Sequence, residues 1–136
     1  MTDAELISFL QAAAPRADYV TSVCGGSLLL GAAGLMQGYQ ATTHWAVHDM
    51  LSQFGAQPVK ARVVTDRNRI SGGGVTAGID FGLTVLAKLR GAEVAQAVQL
   101  MMEYDPQPPF GAGSPGKAPA PIVERLKSRS RFMTKQ

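Results

Sequence analysis

The sequence predicts a layered α/β fold. Runs rich in β-branched and aromatic residues, such as Tyr19–Val23 and Val59–Thr65, alternate with apolar residues at helical spacing, such as Leu6, Phe9, Leu10 and Ala13. The two kinds of segment meet at glycine-rich turns, Cys24-Gly25-Gly26 and Gly72-Gly73-Gly74. Of the 136 residues, 46% are hydrophobic and 17% charged, which supports a packed core and excludes a chain disordered throughout.

Each element has its own signal. Thr2-Asp3-Ala4-Glu5 has the form of a capping box, with Thr2 as N-cap and Glu5 three residues later. The Leu6, Phe9, Leu10, Ala13 stripe follows, and Pro15 stops the helix. Tyr19–Val23 reads as a short strand. Cys24–Ser27 then turns the chain into a compact helix over Leu28–Met36. Its small residues Gly31, Ala32, Ala33 and Gly34 allow close approach to a sheet, and Gly38 is its stop. Gln40–Thr43 is a second short strand. Thr43 reads as the N-cap of a helix carrying Val47, Met50, Leu51 and Phe54 and ending at Gly55. Val59–Thr65 is a strand, and Asp66–Arg69 a turn returning through Ile70 and Ser71. A long helical region runs from Thr76 to about Tyr104, interrupted at Gly91, with Val94, Ala97, Val98 and Met101 on one face. Asp105–Pro121 holds six of the eight prolines and is loop or extended chain, and Ile122–Met133 is a basic helical segment.

This gives only three or four strands, and the first helix has no strand before it. A doubly wound domain opens with strands, so the pattern predicts an N-terminally truncated α/β unit. Residues 1–104 form the carboxy-terminal portion of such a domain, and 105–136 a proline-rich extension ending in a basic helix or tail.

Charge is uneven. The net charge is +3, but residues 117–136 carry +5 and residues 1–116 carry −2. A domain-wide phosphate-binding face is therefore not expected, and neither is a nucleic-acid partner; the basic tail instead suits wrapping of the protein or a partner subunit. The longest apolar stretch, around Leu28–Met36, is broken by glycines and far shorter than the ~20 residues of a membrane span. No basic segment leads into an apolar signal core, so the expectation is a cytoplasmic protein with no membrane partner. One cysteine excludes an internal disulfide framework and multi-cysteine metal sites.

That cysteine is the most informative residue. Cys24 follows a strand, precedes a helix and is followed by two glycines. A nucleophile at so sharp a turn is projected outward, and the free N–H groups at the start of a helix favour a thiolate and a developing anion. The competing reading is a small buried core residue. His44 and His48 stand four apart, but the H-W-A-V-H run lacks the glutamate of a zinc helix and no third ligand is placed, so no metal is expected. Thr43 as N-cap puts His44 at a helix start, within possible reach of Cys24, and His48 on the helix body as a surface or satisfied histidine. Gly72–Ala77 fits G-x-G-x-x-A, yet no strand follows to complete a dinucleotide-binding unit, and a tight turn near the active site is the stronger reading. Gly111–Lys117 nearly matches a P-loop but has Ala118 at the magnesium-binding position and no preceding strand, which excludes nucleotide binding there.

The runs S-V-C-G-G-S-L-L-L-G-A-A-G-L, A-T-T-H-W and S-G-G-G-V-T-A-G-I-D-F, in this order, resemble the ThiJ/PfpI superfamily, and within it the isocyanide hydratase branch. A-Q-A-V-Q-L-M-M-E-Y-D-P-Q-P-P-F followed by A-G-S-P is similar to that branch as well. The resemblance implies a flavodoxin-like three-layer sandwich, a homodimer, and a cysteine nucleophile at Cys24 with His44 near it. Gly25 and Gly26 would flank the nucleophile, and Gly73, Gly74, Val75 and Thr76 would form a pocket wall. It implies conversion of an isocyanide to an N-substituted formamide through a thioimidate, with a small-molecule substrate and neither metal nor organic cofactor. Two departures stand out. Gly25 occupies a position that is usually threonine in that branch, and Asp18, Asp49 and Asp80 do not match the acid/base carboxylate, which family members carry in an amino-terminal part missing here. The alternative is a non-catalytic ligand- or redox-sensing module related to the sensor half of AraC-type transcription regulators; the 32 residues after Tyr104 are too few for the DNA-reading region of such proteins.

Overall fold

In the computed structural model, which describes residues 3–129, the first helix is capped by Asp3. Its carboxylate accepts the Leu6 N–H at 3.0 Å, and α1 runs Ala4–Ala13. The cap is Asp3 rather than Thr2, which lies outside the described residues. An aspartate there satisfies an orphan donor and sets negative charge against the positive end of the helix. The covered face is Leu10 and Ala14, packed on the core, while Phe9 stays 65% exposed. The predicted stripe is thus only half covered. A 3₁₀ turn at Ala14–Arg16, containing Pro15, then leads to β1, Val20–Val23.

The helix after β1, α2, spans Gly26–Ala32 and is shorter than expected. It ends in a Schellman motif: Gly34 adopts φ +76°, its N–H bonds the Gly31 carbonyl, and the Leu35 N–H bonds Leu30, both at 2.9 Å. The expected stop, Gly38, instead turns the chain ahead of β2, Gln40–Ala41. The predicted third helix is a 3₁₀ segment, Trp45–Phe54, capped by His44 and closed by Gly55 at φ +71°. Thr43 does not cap it because its hydroxyl is engaged elsewhere, at the Cys24 carbonyl. Val47 and Leu51 enter the core as the stripe requires. The smallness of Gly31 serves contact with this segment rather than with the sheet, since a Cβ there would lie 2.7 Å from Phe54 Cγ.

Of the predicted strand Val59–Thr65 only the second half forms, and a separate two-residue strand precedes it. β3 is Gln57–Pro58, parallel to β2, and β4 is Val63–Asp66. Between them the backbone turns its carbonyls sideways: Ala61 accepts the Thr42 hydroxyl and Arg62 accepts the Gly73 N–H. β5, Arg69–Gly72, pairs antiparallel with β4 and parallel with β1, giving the sheet order β1-β5-β4. The described residues therefore hold five short strands, not three or four. The hairpin is locked to the loop before β2 by Tyr39, whose ring lies 3.7 Å from the Arg67 guanidinium and 4.5 Å from that of Arg69. Arg67 and Arg69 also donate to the carbonyls of Gly38 and Leu35.

Gly91, at φ +90°, separates α3, Ala77–Arg90, from α4, Ala92–Met101. The predicted face of α4 is not the covered one. Ala95 is 7% exposed, whereas Val94 is 42% and Met101 79% exposed. α3 and α4 pack against each other, and the side chain α4 buries is small. Residues 105–119 are irregular, and α5 spans Ala120–Arg129, starting two residues before the expected helix, whose end at Met133 lies outside the described residues. The core comprises Val20, Leu28, Leu30, Met36, Ala41, Val47, Leu51 and Ala56, beneath the turn that carries Cys24. The fold is α/β as predicted, and no helix among the described residues is long and apolar enough to cross a membrane.

Candidate active site

β1 ends at Val23, and the next residue, Cys24, takes φ +57°. For a residue with a side chain this left-handed conformation costs on the order of 1–3 kcal/mol and persists only where surrounding bonds impose it. Here they do. The Cys24 N–H reaches the carbonyls of Gly73 at 2.8 Å and Gly72 at 3.1 Å, and its own carbonyl accepts the Thr43 hydroxyl at 2.5 Å. The thiol residue is half-buried. Of its two flanking glycines, Gly25 faces open space, whereas a Cβ on Gly26 would stand 3.5 Å from Ser22 Cβ.

Beneath this turn lies a buried polar lattice that sequence reading did not single out. Ser22 and Ser27 share a hydrogen bond of 2.8 Å, and Ser27 donates to the Thr42 carbonyl at 2.7 Å. Because that bond uses the only Ser27 hydroxyl proton, Ser22 is the donor in the pair. The Thr42 N–H donates to Ser71 Oγ at 2.9 Å and its hydroxyl to the Ala61 carbonyl at 3.0 Å. Serines at the buried positions of β1 and β5 were the available signal, since a polar group on a core-facing position demands a partner. Ser27→Ala strands the Ser22 hydroxyl and the Thr42 carbonyl, and is expected to lower stability by about 1–3 kcal/mol in urea denaturation.

Thr43 couples this lattice to the histidine. His44 Nδ1 accepts the Ala46 N–H at 3.2 Å, so a neutral ring carries its proton on Nε2. A Cβ on Gly74 would lie 3.4 Å from His44 Cδ2, which places this glycine against the ring edge. Gly73 is buried with Ala61 and Arg62 carbonyls beside it, while Val75 and Thr76 are exposed. The predicted residues are thus joined in two groups, Cys24 with Gly72 and Gly73, and His44 with Gly74, and Thr43 links them. The Trp45 ring lies 5.6 Å from that of His44 and lines a small pocket together with Pro115, Ile122 and Leu126 of the carboxy-terminal segment. His48 is a satisfied core histidine, its Nε2 3.0 Å from the Val59 carbonyl.

Of the three carboxylates weighed from sequence, Asp18 and Asp49 are exposed. Asp80 is committed: Arg62 Nε pairs with Oδ2 and the Tyr104 hydroxyl donates to Oδ1 at 2.7 Å. Partial burial alone would raise the Asp80 pKa, but the hydrogen bonds from Arg62 and Tyr104 and the Arg62 charge hold it below the usual carboxylate range. A carboxylate depressed on folding stabilises the fold above its unfolded pKa of about 4, and that contribution is lost as pH falls through the lower folded value. Solvent screening keeps it to no more than about 1 kcal/mol. The stability gap between the parent and Asp80→Asn is therefore expected at pH 7 and should close progressively below about pH 4 in urea titrations.

Residues 1–88 match the DJ-1/PfpI family. The chain is 55% identical over 130 residues to isonitrile hydratase of Pseudomonas putida, a match covering 96% of this chain and 57% of that protein. It is 34% identical over 103 residues to the HTH-type transcriptional regulator GbdR of Pseudomonas aeruginosa, covering 74% of this chain and 28% of the regulator. The crystal structure of a ThiJ/PfpI family protein from Pseudomonas syringae superposes with a TM-score of 0.91 at 56% identity, covering 93% of this chain and 52% of that one. The chain thus spans a little over half the length of the hydratase and of the solved structure.

Proposed function

Because the chain belongs to the DJ-1/PfpI family, we propose that it carries the nucleophile portion of an isocyanide hydratase site, with Cys24 as the nucleophile. The observation that carries this reading is the left-handed Cys24 backbone, bonded at both N–H and carbonyl at a strand-to-helix turn. The identity with the hydratase supports the substrate class, and the lower identity with the regulator gives less support to a non-catalytic sensing module.

In this mechanism the Cys24 thiolate adds to the terminal carbon of R–N≡C. That carbon takes up a proton, giving the thioimidate R–N=CH–S–Cys. Water adds to the same carbon, the nitrogen is protonated, and the C–S bond breaks to return the thiolate and release R–NH–CHO. The sum is one isocyanide and one water to one formamide, divided into two easier steps. The His44 Nε2–H, on the side of the ring that Nδ1 leaves free, serves as a hydrogen-bond donor to the reacting nitrogen or to water. With Gly25 and Gly26 beside the nucleophile, Gly73, Gly74, Val75 and Thr76 bound the substrate space. The acid/base carboxylate is assigned to polypeptide outside these 136 residues, since Asp80 is held by Arg62 and Tyr104. A homodimer acting in the cytoplasm, without metal or organic cofactor, completes the reading.

The test incubates the chain with an aryl isocyanide, alone and co-expressed with the amino-terminal part of the Pseudomonas putida hydratase, and measures the formamide chromatographically. Formamide in either arm is expected. Its absence from both, with the fold intact by circular dichroism, overturns the proposal.

A further inference from the structure

The Gly72-Gly73-Gly74 loop has no side chains with which to hold itself in place, and Thr76 makes no side-chain cap to α3. Yet two of its carbonyls fix the Cys24 N–H, at 2.8 and 3.1 Å. Its position must come from neighbouring elements. We propose that Arg62, Asp80 and Tyr104 form a positioning triad that holds this loop and, through it, the backbone of Cys24. The proposal deepens the reading of Cys24 as nucleophile and rests on it.

The chain of contacts is continuous. Arg62 grips the loop at both ends: its carbonyl accepts the Gly73 N–H at 2.8 Å, and its guanidinium donates from Nη2 to the Thr76 carbonyl at 3.2 Å. The guanidinium is oriented by Asp80 in the first turn of α3, and the other Asp80 oxygen is fixed by the Tyr104 hydroxyl from beyond the end of α4. Three separate stretches of chain therefore converge on one loop. With the Arg62 side chain 55% and Asp80 29% exposed, the ion pair contributes little to global stability. Its geometry, which ties the residue before β4, the first turn of α3 and the chain beyond α4 to the loop bonded to the nucleophile, is the consequence that matters. Neither Arg62 nor Tyr104 needs to touch substrate; both act through the backbone of the loop.

The test reads Cys24 directly. It is the only cysteine, so iodoacetamide alkylation of the 136-residue chain, followed by intact mass, reports on that thiol alone. Asp80→Ala and Arg62→Ala are expected to slow alkylation about tenfold, as misplacing a reacting group by a fraction of an ångström does. Arg62→Lys, which keeps the charge and one donor, is expected to recover part of the rate, and Tyr104→Phe to lose a smaller part, with urea midpoints near that of the parent. In isocyanide turnover the same variants should lose kcat at nearly unchanged KM. Unchanged alkylation overturns the triad; so does faster alkylation, which would mean that the three residues merely shield the thiol. Should the alanine variants fail to fold, Tyr104→Phe decides alone, because it removes a single hydroxyl. A parent that yields no formamide while its variants still alkylate more slowly refutes the hydratase reading and not the triad.

Discussion

Cys24→Ser is expected to lower kcat/KM for an aryl isocyanide by at least ~10³-fold, about 4 kcal/mol of transition-state stabilisation. Serine retains the size of the side chain and the hydrogen bonds of the backbone to Gly72, Gly73 and Thr43, so the fold and substrate space stay in place. What is lost is the thiolate nucleophile, since a hydroxyl is far less acidic than a thiol. Acid quenching during turnover should show the mass of one substrate added to the parent and none added to the serine variant. A serine variant within tenfold of the parent would put the nucleophile elsewhere. A companion substitution separates chemistry from strain. Cys24→Gly removes the thiol and also relieves the left-handed φ of +57°. It is therefore expected to be inactive yet more stable than the parent by about 1 kcal/mol in urea denaturation, the usual relation between a strained active-site residue and fold stability.

The strand-to-helix turn was legible because its signals are local. A β-branched run, a cysteine and two glycines within eight residues leave few conformations open. The same holds for Gly55 and Gly91, whose positions at the ends of apolar stripes marked the breaks that φ values of +71° and +90° now describe. What sequence could not supply is what depends on distant partners. Thr43 reads as a helix cap by its neighbours and is diverted to the Cys24 carbonyl by a residue 19 positions away. The face of α4 follows its packing on α3, which favours the small Ala95 over Val94. Arg62, Asp80 and Tyr104 lie on three separate stretches, before β4, in α3 and beyond α4, so no motif joins them; an aspartate in the first turn of a helix is already explained by the helix dipole. The buried serines lie between, marked by position on their strands but not by partner.

Three glycines within ten residues are expected to respond to substitution in three different ways, and the order tests the packing around the nucleophile. Gly31 has an ordinary helical backbone but no space: a Cβ would stand 2.7 Å from Cγ, 2.8 Å from Cδ2 and 2.9 Å from Cβ of Phe54. Swinging the Phe54 side chain about its Cα–Cβ bond relieves the first two contacts and not the last, because the Phe54 Cβ is fixed to its backbone. Gly31→Val therefore has to drive α2 and the 3₁₀ segment apart, and is expected to lose about 3 kcal/mol, the upper part of the usual overpacking range. Gly34 has space, with nothing within 4 Å of its added Cβ, but sits at φ +76°. Gly34→Ala should lose about 1 kcal/mol through backbone strain alone. Gly25 has both space and φ −63°. Gly25→Ala should cost nothing in the folded state and gain about 0.4–1 kcal/mol by restricting the unfolded chain. Urea denaturation of the three variants gives the order directly, and a Gly25→Ala loss comparable to that of Gly31→Val would mean that the turn beside Cys24 is packed from a side the geometry leaves open. The Cβ of a Gly25→Thr variant likewise enters this open side with no atom beyond its chain neighbours within 4 Å. The effect of this variant on turnover then reports on the hydroxyl rather than on a rearranged turn.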